Sequence, residues 1–255
     1  MMAAGQGRED PAAGNFGAWA NPWLAFGLLG LWFGLVFLFM AFPQADIAAT
    51  ALFFSPTACA DGVQAATCGD FPAASNVLLA LVRRVFHILP VAAAVCLFAW
   101  VMRAATTDRG RRDPRTRLAA ATLATLVIGP GLLVNGFLKS EWGRPRPLTT
   151  DLFGGDLPFV AAGQWSDACA RNCSFVSGEA SAIAWLLVLV PLLPPTMRLP
   201  GAVVAAIVAV FVSGLRIAFG AHYLSDVVLG GLSTLVVFAA ITSIASSRRR
   251  APAPA

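Results

Sequence analysis

The chain has 255 residues, of which 58% are hydrophobic and only 12% charged, and its formal net charge is +5. Because soluble domains carry about 25% charged residues, this composition excludes an ordinary soluble globular protein, while the length fits one domain. The arginines that produce the net charge flank apolar blocks, so we interpret them as a membrane-topology signal and not as a nucleic-acid-binding surface.

Long apolar blocks divide the chain and predict membrane helices. A span requires about 20 apolar residues, and blocks of this length predict helices because the strands of membrane barrels alternate over about 10 residues. The first block could also be a signal peptide, but its apolar run is too long and its basic flank too weak. We therefore predict an all-α, polytopic membrane protein with six transmembrane helices, at approximately 23–42, 85–102 (or from near Asn76), 118–138, 180–193, 201–215 and 227–245.

The positions of the arginines predict the orientation. Six arginines lie in the hydrophilic connection 103–117 and three in the tail, and basic residues favour the cytoplasmic side. The predicted domains are a polar cytoplasmic N-terminal segment (1–21), a six-helix membrane domain (22–247) and a short basic Pro/Ala cytoplasmic tail (248–255). The connections 43–75 and 139–178 then face outwards, which in a bacterial inner membrane is the periplasm.

Four of the five cysteines fall in the two outward connections, which predicts disulfides. Cys59 with Cys68 and Cys169 with Cys173 are the local pairings, but three connectivities are possible. No Cys/His spacing typical of a metal site is present. We therefore expect no metal and no cofactor.

The first polar stretch, residues 139–147, begins where the third apolar block ends. Lys139 is the only lysine in an arginine-rich chain, which indicates a need for a compact ammonium group. Arg146 lies between two prolines that restrict its backbone. A cluster that anchors the chain at the membrane interface is the alternative interpretation. Glu141 and Arg144 are expected to line the mouth of a pocket or to be solvated.

The second polar stretch surrounds Ser177 and Gly178, at the start of the fourth block. These two residues predict a helix N-terminus, where free N–H groups and the helix dipole favour an anion. A plain helix cap at Ser177 and a dipole-stabilising role for Glu179 are the alternatives.

The third polar stretch joins the fifth and sixth blocks. His222, one of two histidines, stands four residues before Asp226, so on a helix the two share a face. The carboxylate can then accept the imidazole N–H and leave the other ring nitrogen free to attack. Arg216 precedes them. An Arg–Asp pair facing the membrane is the alternative. The other histidine, His87, lies with Arg83 and Arg84 near the outer end of the second block, where all three are expected to anchor the interface or touch a lipid headgroup.

Together the three stretches resemble the type 2 phosphatidic acid phosphatase superfamily, which includes bacterial lipid phosphatases, glucose-6-phosphatase and the vanadium haloperoxidases. Lys139 with Arg146-Pro147 fits the family's first motif, a Lys and an Arg-Pro pair with six residues between them. Residues 176–179 stand at the second motif, Pro-Ser-Gly-His. Arg216, His222 and Asp226 fit the spacing of the third motif.

The resemblance implies a role for each matching residue. His222 would be the nucleophile and Asp226 would orient it, while the phosphoryl oxygens would be bound by Lys139, Arg146, Arg216, Ser177 and Gly178. Three cations and a helix N-terminus suffice for phosphoryl transfer, which asks mainly for positioning and charge stabilisation.

The chain departs from the family pattern at three positions. Val176 replaces the proline and Leu215 the serine of the motifs, and Glu179 stands where the family has a histidine taken to protonate the leaving group. We expect Glu179 either to act as that acid, which requires it to keep its proton, or to orient a cation while water protonates the leaving group.

The resulting prediction is a metal-independent membrane phosphatase that cleaves a phosphomonoester or pyrophosphate of an amphiphile through a phosphohistidine. Its site would lie at the periplasmic ends of the helices. Lipid phosphates such as phosphatidate, phosphatidylglycerophosphate, isoprenyl pyrophosphate or a lipid A phosphate are the expected substrates. The alternatives are phosphotransfer to a lipid or sugar hydroxyl, and lipid-phosphate binding or transport with weak turnover. The sequence does not specify the oligomeric state.

Overall fold

A computed structural model describes residues 16–59 and 67–250, with the backbone alone at 248–250. Most of the predicted N-terminal segment (residues 1–15) and the end of the tail (251–255) lie outside the described residues. The described part is mainly helical. Its α-helices are α1 (Pro22–Ala41), α2 (Gln44–Ala51), α3 (Pro72–Ser75), α4 (Val77–Ala104), α5 (Asp108–Arg112), α6 (Pro114–Leu126), α7 (Lys139–Glu141), α8 (Gly178–Leu189), α9 (Pro195–Ala218) and α10 (Leu224–Arg250).

Five helices of the described residues are long and apolar enough to cross a membrane. They are Pro22–Ala41, Val77–Ala104, Pro114–Glu141, Pro195–Ala218 and Leu224–Ser247. The fourth predicted block corresponds to a shorter apolar helix, Gly178–Leu192. The mainly helical architecture is thus confirmed, and among the described residues five of the six predicted blocks correspond to helices of spanning length.

Helix ends extend beyond several predicted blocks because local caps fix them. The second helix begins at Val77, as the alternative start near Asn76 predicted, since the Asn76 side chain accepts a hydrogen bond from the N–H of Leu79. The predicted loop 103–117 contains α5, and α6 already begins at Pro114, capped by Asp113. The basic hydrophilic connection predicted there is therefore largely helical and not a loop throughout.

The third helix changes its geometry before it reaches the connection 139–178. α6 continues into a π-helix at Val127–Leu138, which α7 follows directly. Pro130 lies inside this segment, and its carbonyl accepts a hydrogen bond from the Asn135 side chain at 2.6 Å. Proline removes a backbone donor, and π-segments are frequent at functional sites. The hydropathy of this block did not predict the change.

Helices α8 and α10 form the centre of the bundle, and α1, α6 and α9 pack around them. Trp185 and Phe238 are fully buried between them, and a hydrogen bond of 2.8 Å joins the hydroxyls of Ser181 and Thr234. At Gly230 a Cβ atom would lie 2.5 Å from the carbonyl oxygen of Ser177. Glycine there lets α10 lie directly against the start of α8, which fixes one side of the site described below.

The connections 43–75 and 139–178 lie at the opposite end of the bundle from the connection 103–117, and each carries a disulfide. In the first connection, β1 (Ser55–Thr57) and β2 (Cys68–Asp70) form an antiparallel hairpin closed by the Cys59–Cys68 disulfide. In the second, Cys169 and Cys173 are joined. The local pairing is therefore the one observed among the three possible connectivities.

Candidate active site

The three polar stretches of the sequence meet at one end of the bundle, at the base of the second disulfide-bearing connection. Lys139 begins α7, Ser177 caps α8, and the turn between α9 and α10 carries His222. Lys139 lies within electrostatic range of Arg146 and Arg216, and these two arginines also act on His222. Residues separated by about 80 positions in sequence thus belong to one cluster of positive charge.

His222 is almost completely buried, with 1% of its surface exposed. Its Nδ1 lies 2.8 Å from the carbonyl oxygen of Ser174 but 3.8 Å from Oδ2 of Asp226. The carbonyl accepts only, so Nδ1 carries the proton and Nε2 keeps its lone pair. Burial lowers the pKa of His222 to about 4, although the Asp226 carboxylate acts in the opposite direction. The imidazole is therefore neutral, and available as a nucleophile, at neutral pH.

Asp226 holds the turn around His222 in place. Its carboxylate accepts hydrogen bonds from the N–H of Tyr223 at 2.9 Å and from the hydroxyl of Ser174. It therefore fixes Ser174, whose carbonyl orients the imidazole. The direct Asp226–imidazole hydrogen bond expected from the four-residue spacing is replaced by this indirect arrangement, because His222 lies in the turn before α10 and not within a helix.

Arg144 is wholly buried, which corrects the expectation that it lines the pocket mouth or is solvated. Its guanidinium donates to Asp226 at 2.7 Å, to Asp46 at 2.8 Å and to the hydroxyl of Ser225 at 2.8 Å. It also lies 4.2 Å from the centre of the Tyr223 ring. Burial by itself would lower the pKa of Arg144, but the two carboxylates outweigh it and raise the pKa.

Asp46 is the partner that sequence reasoning missed. It is fully buried in α2, and its carboxylate also accepts from the N–H of Ser225 at 2.7 Å. The sequence feature that could have revealed it is an acidic residue shortly after the first apolar block, because ionisable groups at membrane spans are usually paired. Asp46, Arg144 and Asp226 form a buried ionic network that ties α2 to the first turn of α10.

The three cations of the pocket retain donors for an anion. Arg216 is 5% exposed, and among the residues that the structure describes its buried Nε has no hydrogen-bond partner. Arg146 uses its Nε on the carbonyl of Asn172 at 3.0 Å, which leaves its terminal nitrogens for other contacts. A buried donor without a partner is costly, so the unpaired Nε marks a place where an anionic ligand would be stabilised.

The N-terminus of α8 contributes backbone donors. The Ser177 hydroxyl accepts from the N–H of Ala180 at 3.3 Å, as a helix cap does, while the Ser177 N–H donates to the carbonyl of Asp226 at 2.9 Å. At Gly178 a Cβ atom would lie 2.3 Å from Oδ1 of Asn135, so any larger residue there would require the Asn135 side chain to move. The predicted helix N-terminus at Ser177 and Gly178 is confirmed, with Ser177 as its cap. Free N–H groups in the first turn of a helix favour an anion.

Glu179 lies in an ion pair that the sequence did not reveal. Nε of Arg83 donates to one carboxylate oxygen at 2.9 Å, and a second Arg83 nitrogen donates to the other. Arg216 lies 3.5 Å from the same carboxylate. Two oxygens that both accept from a guanidinium form the arrangement of an ionised carboxylate. This geometry favours the second expected role of Glu179, in which it orients cations, over proton donation.

Long apolar helices, a neutral imidazole and three neighbouring cations are the features of a helical membrane protein with a site suited to an anion such as phosphate. Residues 116–250 match the PAP2 superfamily, and the chain belongs to that superfamily.

Individual relatives agree with this assignment. The chain is 42% identical to the lipid A 4'-phosphatase of Rhizobium leguminosarum over 87% of its own length and 96% of the relative's. It is 32% identical to the lipid A 4'-phosphatase of Francisella tularensis subsp. novicida, over 85% and 94% of the two chains.

A solved structure shares the fold. The crystal structure of a transmembrane PAP2 type phosphatidylglycerolphosphate phosphatase from Bacillus subtilis superposes with a TM-score of 0.54 at 20% sequence identity. The match covers 89% of this chain and 98% of that chain. The protein is therefore a multi-pass membrane phosphatase of the PAP2 superfamily.

Proposed function

We propose that the protein is a lipid phosphatase that hydrolyses a phosphate monoester of lipid A at the outer face of a bacterial inner membrane. The reaction proceeds through a phosphohistidine on His222. The observation that carries this proposal is the position of His222. A neutral imidazole is buried beside Lys139, Arg146 and Arg216, at the end of helices long enough to span a membrane. The similarity to the lipid A 4'-phosphatases, which extends over nearly their whole length, supports the choice of lipid.

The distribution of charge supports a site on the periplasmic side. The arginines of the connection 103–117 lie at the C-terminal end of α4 and the N-terminal end of α6. The helix that starts with α6 carries Lys139 of the site in its last turn, so these arginines and the site lie at opposite ends of the bundle. Basic residues favour the cytoplasm and disulfides favour the periplasm, and both disulfides lie in the connections on the same side as the site.

Six spans fit this orientation. The short helix Gly178–Leu192 rises about 22 Å at 1.5 Å per residue, against a hydrocarbon core of about 30 Å. Its first turn lies in the site and its last turn is followed by prolines before α9. We propose that it is the fourth span, with the remaining thickness covered by the polar residues at its ends, and that both termini face the cytoplasm.

The proposed reaction proceeds in two displacements. Nε2 of His222 attacks the phosphorus, a P–N bond forms, and the P–O bond to the lipid breaks. Water gives the leaving alkoxide its proton. A second water then attacks the phosphohistidine and gives a proton to the hydroxide left by the first, the P–N bond breaks, inorganic phosphate leaves and His222 is neutral again. Throughout, the charge on the phosphoryl oxygens is stabilised by Lys139, Arg146, Arg216 and the first-turn amides of α8.

Asp226 and Glu179 support this reaction without touching the reacting atoms. Asp226 holds Ser174, whose carbonyl keeps the proton of His222 on Nδ1. Glu179 is occupied by Arg83 and orients the cations. Because fixed cations supply the electrostatic stabilisation that a metal ion gives elsewhere, we propose that the reaction needs no metal.

A phosphate-release assay tests substrate and metal dependence together. Purified protein in mixed micelles is expected to release inorganic phosphate from lipid A, leaving a product lighter by one phosphate at the 4' position in mass spectrometry. EDTA is expected to leave the rate unchanged. Phosphatidate and phosphatidylglycerophosphate serve as comparison substrates.

Three results would contradict parts of the proposal. Loss of activity with EDTA that returns on adding a divalent metal would overturn the metal-free mechanism. A clear preference for phosphatidate would overturn the choice of lipid. Phosphorylated acceptor without free phosphate would show a transferase.

The low pKa of His222 predicts an unusual pH profile. If His222 had the ordinary histidine pKa near 6.5, both its imidazole and the substrate phosphate, whose second pKa is near 6, would take up a proton as the pH falls. The protonated imidazole is no longer a nucleophile, so log kcat/KM would fall with a slope approaching two below pH 6. With His222 at about 4, only the phosphate titrates between pH 6 and about 4.5, and we expect a slope of one. A slope of two in this range, measured with lipid A, would show that His222 titrates normally.

A further inference from the structure

Arg83 reaches the site from α4, a helix whose surface mostly faces away from the bundle. Pro90 is the one buried residue of α4, so most of this helix faces the surroundings of the bundle. An arginine that anchored the interface would extend its side chain to the lipid headgroups. Arg83 instead places two nitrogens on the carboxylate of Glu179, which lies 96 residues further along the chain.

Glu179 is an anion inside an anion-binding pocket. Its carboxylate lies in the first turn of α8, 3.5 Å from Nη1 of Arg216, and its side chain is 16% exposed. An unpaired carboxylate at this position would repel a phosphate dianion and would compete with it for the guanidinium of Arg216. At separations of a few ångströms, such interactions are strong in a partly buried site.

Arg83 removes this competition by its geometry. It occupies both carboxylate oxygens and makes the closer contact, at 2.9 Å for its Nε against 3.5 Å for Arg216. A bidentate guanidinium–carboxylate pair is stronger and more directional than a single contact. Arg83 also acts electrostatically on Lys139 and Arg146, so it belongs to the same group of charges.

We infer that Arg83 is a positioning residue of the phosphate site: it neutralises Glu179 so that Arg216 remains available for the phosphoryl oxygens. The inference rests on the proposed phosphate site and adds to it a residue of α4, outside the region 116–250 that matches the superfamily. It also gives Glu179 a structural purpose, since the carboxylate holds two guanidinium groups side by side.

Single and double variants test the inference, because removing the Glu179 charge should offset the loss of phosphate affinity that the Arg83 substitution causes. Arg83→Gln frees the Glu179 carboxylate, and we expect it to weaken inhibition by inorganic phosphate about tenfold and to raise KM for lipid A by a similar factor. Glu179→Gln, introduced into that variant, removes the competing charge. The double variant is therefore expected to recover most of the lost phosphate affinity.

Inorganic phosphate is the appropriate probe because it binds without any leaving group to protonate. Arg84→Gln is the matched control, since Arg84 is the neighbouring residue of α4 and is exposed. It is expected to leave both constants unchanged. Arg83→Lys provides a second variant if Arg83→Gln fails to fold, because an ammonium keeps the charge but not the bidentate contact, and we expect an intermediate loss of phosphate affinity.

Each contrary result is distinct. Unchanged constants in Arg83→Gln and Arg83→Lys would overturn the inference, while loss of turnover in His222→Ala would still support the proposed function. A double variant as weak as Arg83→Gln, or weaker, would show that Arg83 binds phosphate itself. Glu179→Gln that abolishes turnover but binds phosphate normally would identify Glu179 as the proton donor and would likewise overturn the inference.

Discussion

Replacement of His222 by alanine is expected to abolish phosphate release, with a fall in kcat of at least about a thousandfold, because no other nucleophile is proposed for the phosphoryl group. Phosphate inhibition should change far less, since Lys139, Arg146 and Arg216 remain. The measurement is release of inorganic phosphate from lipid A, together with quenching of the wild-type reaction on phosphate-labelled substrate in detergent at alkaline pH. The label should remain on the wild-type protein as an acid-labile, base-stable phosphohistidine and should be absent from the variant.

His87→Ala is the matched control, because His87 is the other histidine of the chain and lies exposed on α4. It is expected to retain the wild-type rate and the labelled intermediate. Turnover in His222→Ala at the wild-type rate would refute the phosphohistidine mechanism. Label that persists in His222→Ala but disappears in His87→Ala would move the nucleophile to α4.

Replacement of Arg144 by methionine is expected to have the largest effect on stability. The substitution keeps much of the side-chain volume but leaves the carboxylates of Asp46 and Asp226 buried without their shared partner. Breaking a buried ion pair on one side typically costs about 3–5 kcal/mol. The turn that carries His222 would also lose its support, so activity should fall with stability.

Thermal unfolding followed by tryptophan fluorescence, with activity measured on the folded fraction, checks this expectation. Arg112→Met, at the exposed end of α5, is the control and should unfold like the wild type. Addition of Asp46→Asn to Arg144→Met removes one of the two stranded charges, so the pair should be less destabilised than the sum of the single changes. Strict additivity, or a wild-type midpoint for Arg144→Met, would show that the buried network contributes little.

The ionic network and the nucleophile are physically connected. Arg144 bonds to Asp226, Asp226 holds the Ser174 hydroxyl, and the Ser174 carbonyl accepts from the imidazole of His222. A chain of buried hydrogen bonds in a low-dielectric interior is stiff and costly to break. The site therefore gains its rigidity from α2 and the second connection, and not from the spacing of residues along α10 alone.

Much of this architecture was readable from the sequence because the physics behind it is local. Apolar blocks of spanning length must form helices in a bilayer, and the arginine-rich connection predicts which side they face. Lys139 with Arg146, and Arg216 with His222 and Asp226, have spacings set within a few helical turns, so their resemblance to a phosphatase family could be recognised from the residues alone. The helix N-terminus at Ser177 follows from equally local chemistry.

Tertiary structure decided the pairing of the charges. Arg144 and Asp46 are 98 residues apart, Arg83 and Glu179 are 96, and His222 and the Ser174 carbonyl are 48. Which of these groups is buried depends on how α2, α4, α8 and α10 pack, and hydropathy and motif spacing carry no information about that packing. From its charge alone, Arg144 was expected to be solvated or at a pocket mouth, and Arg83 to anchor the interface. Their actual positions depend on the partners that the fold brings to them, because those partners set the free energy of a buried charged side chain.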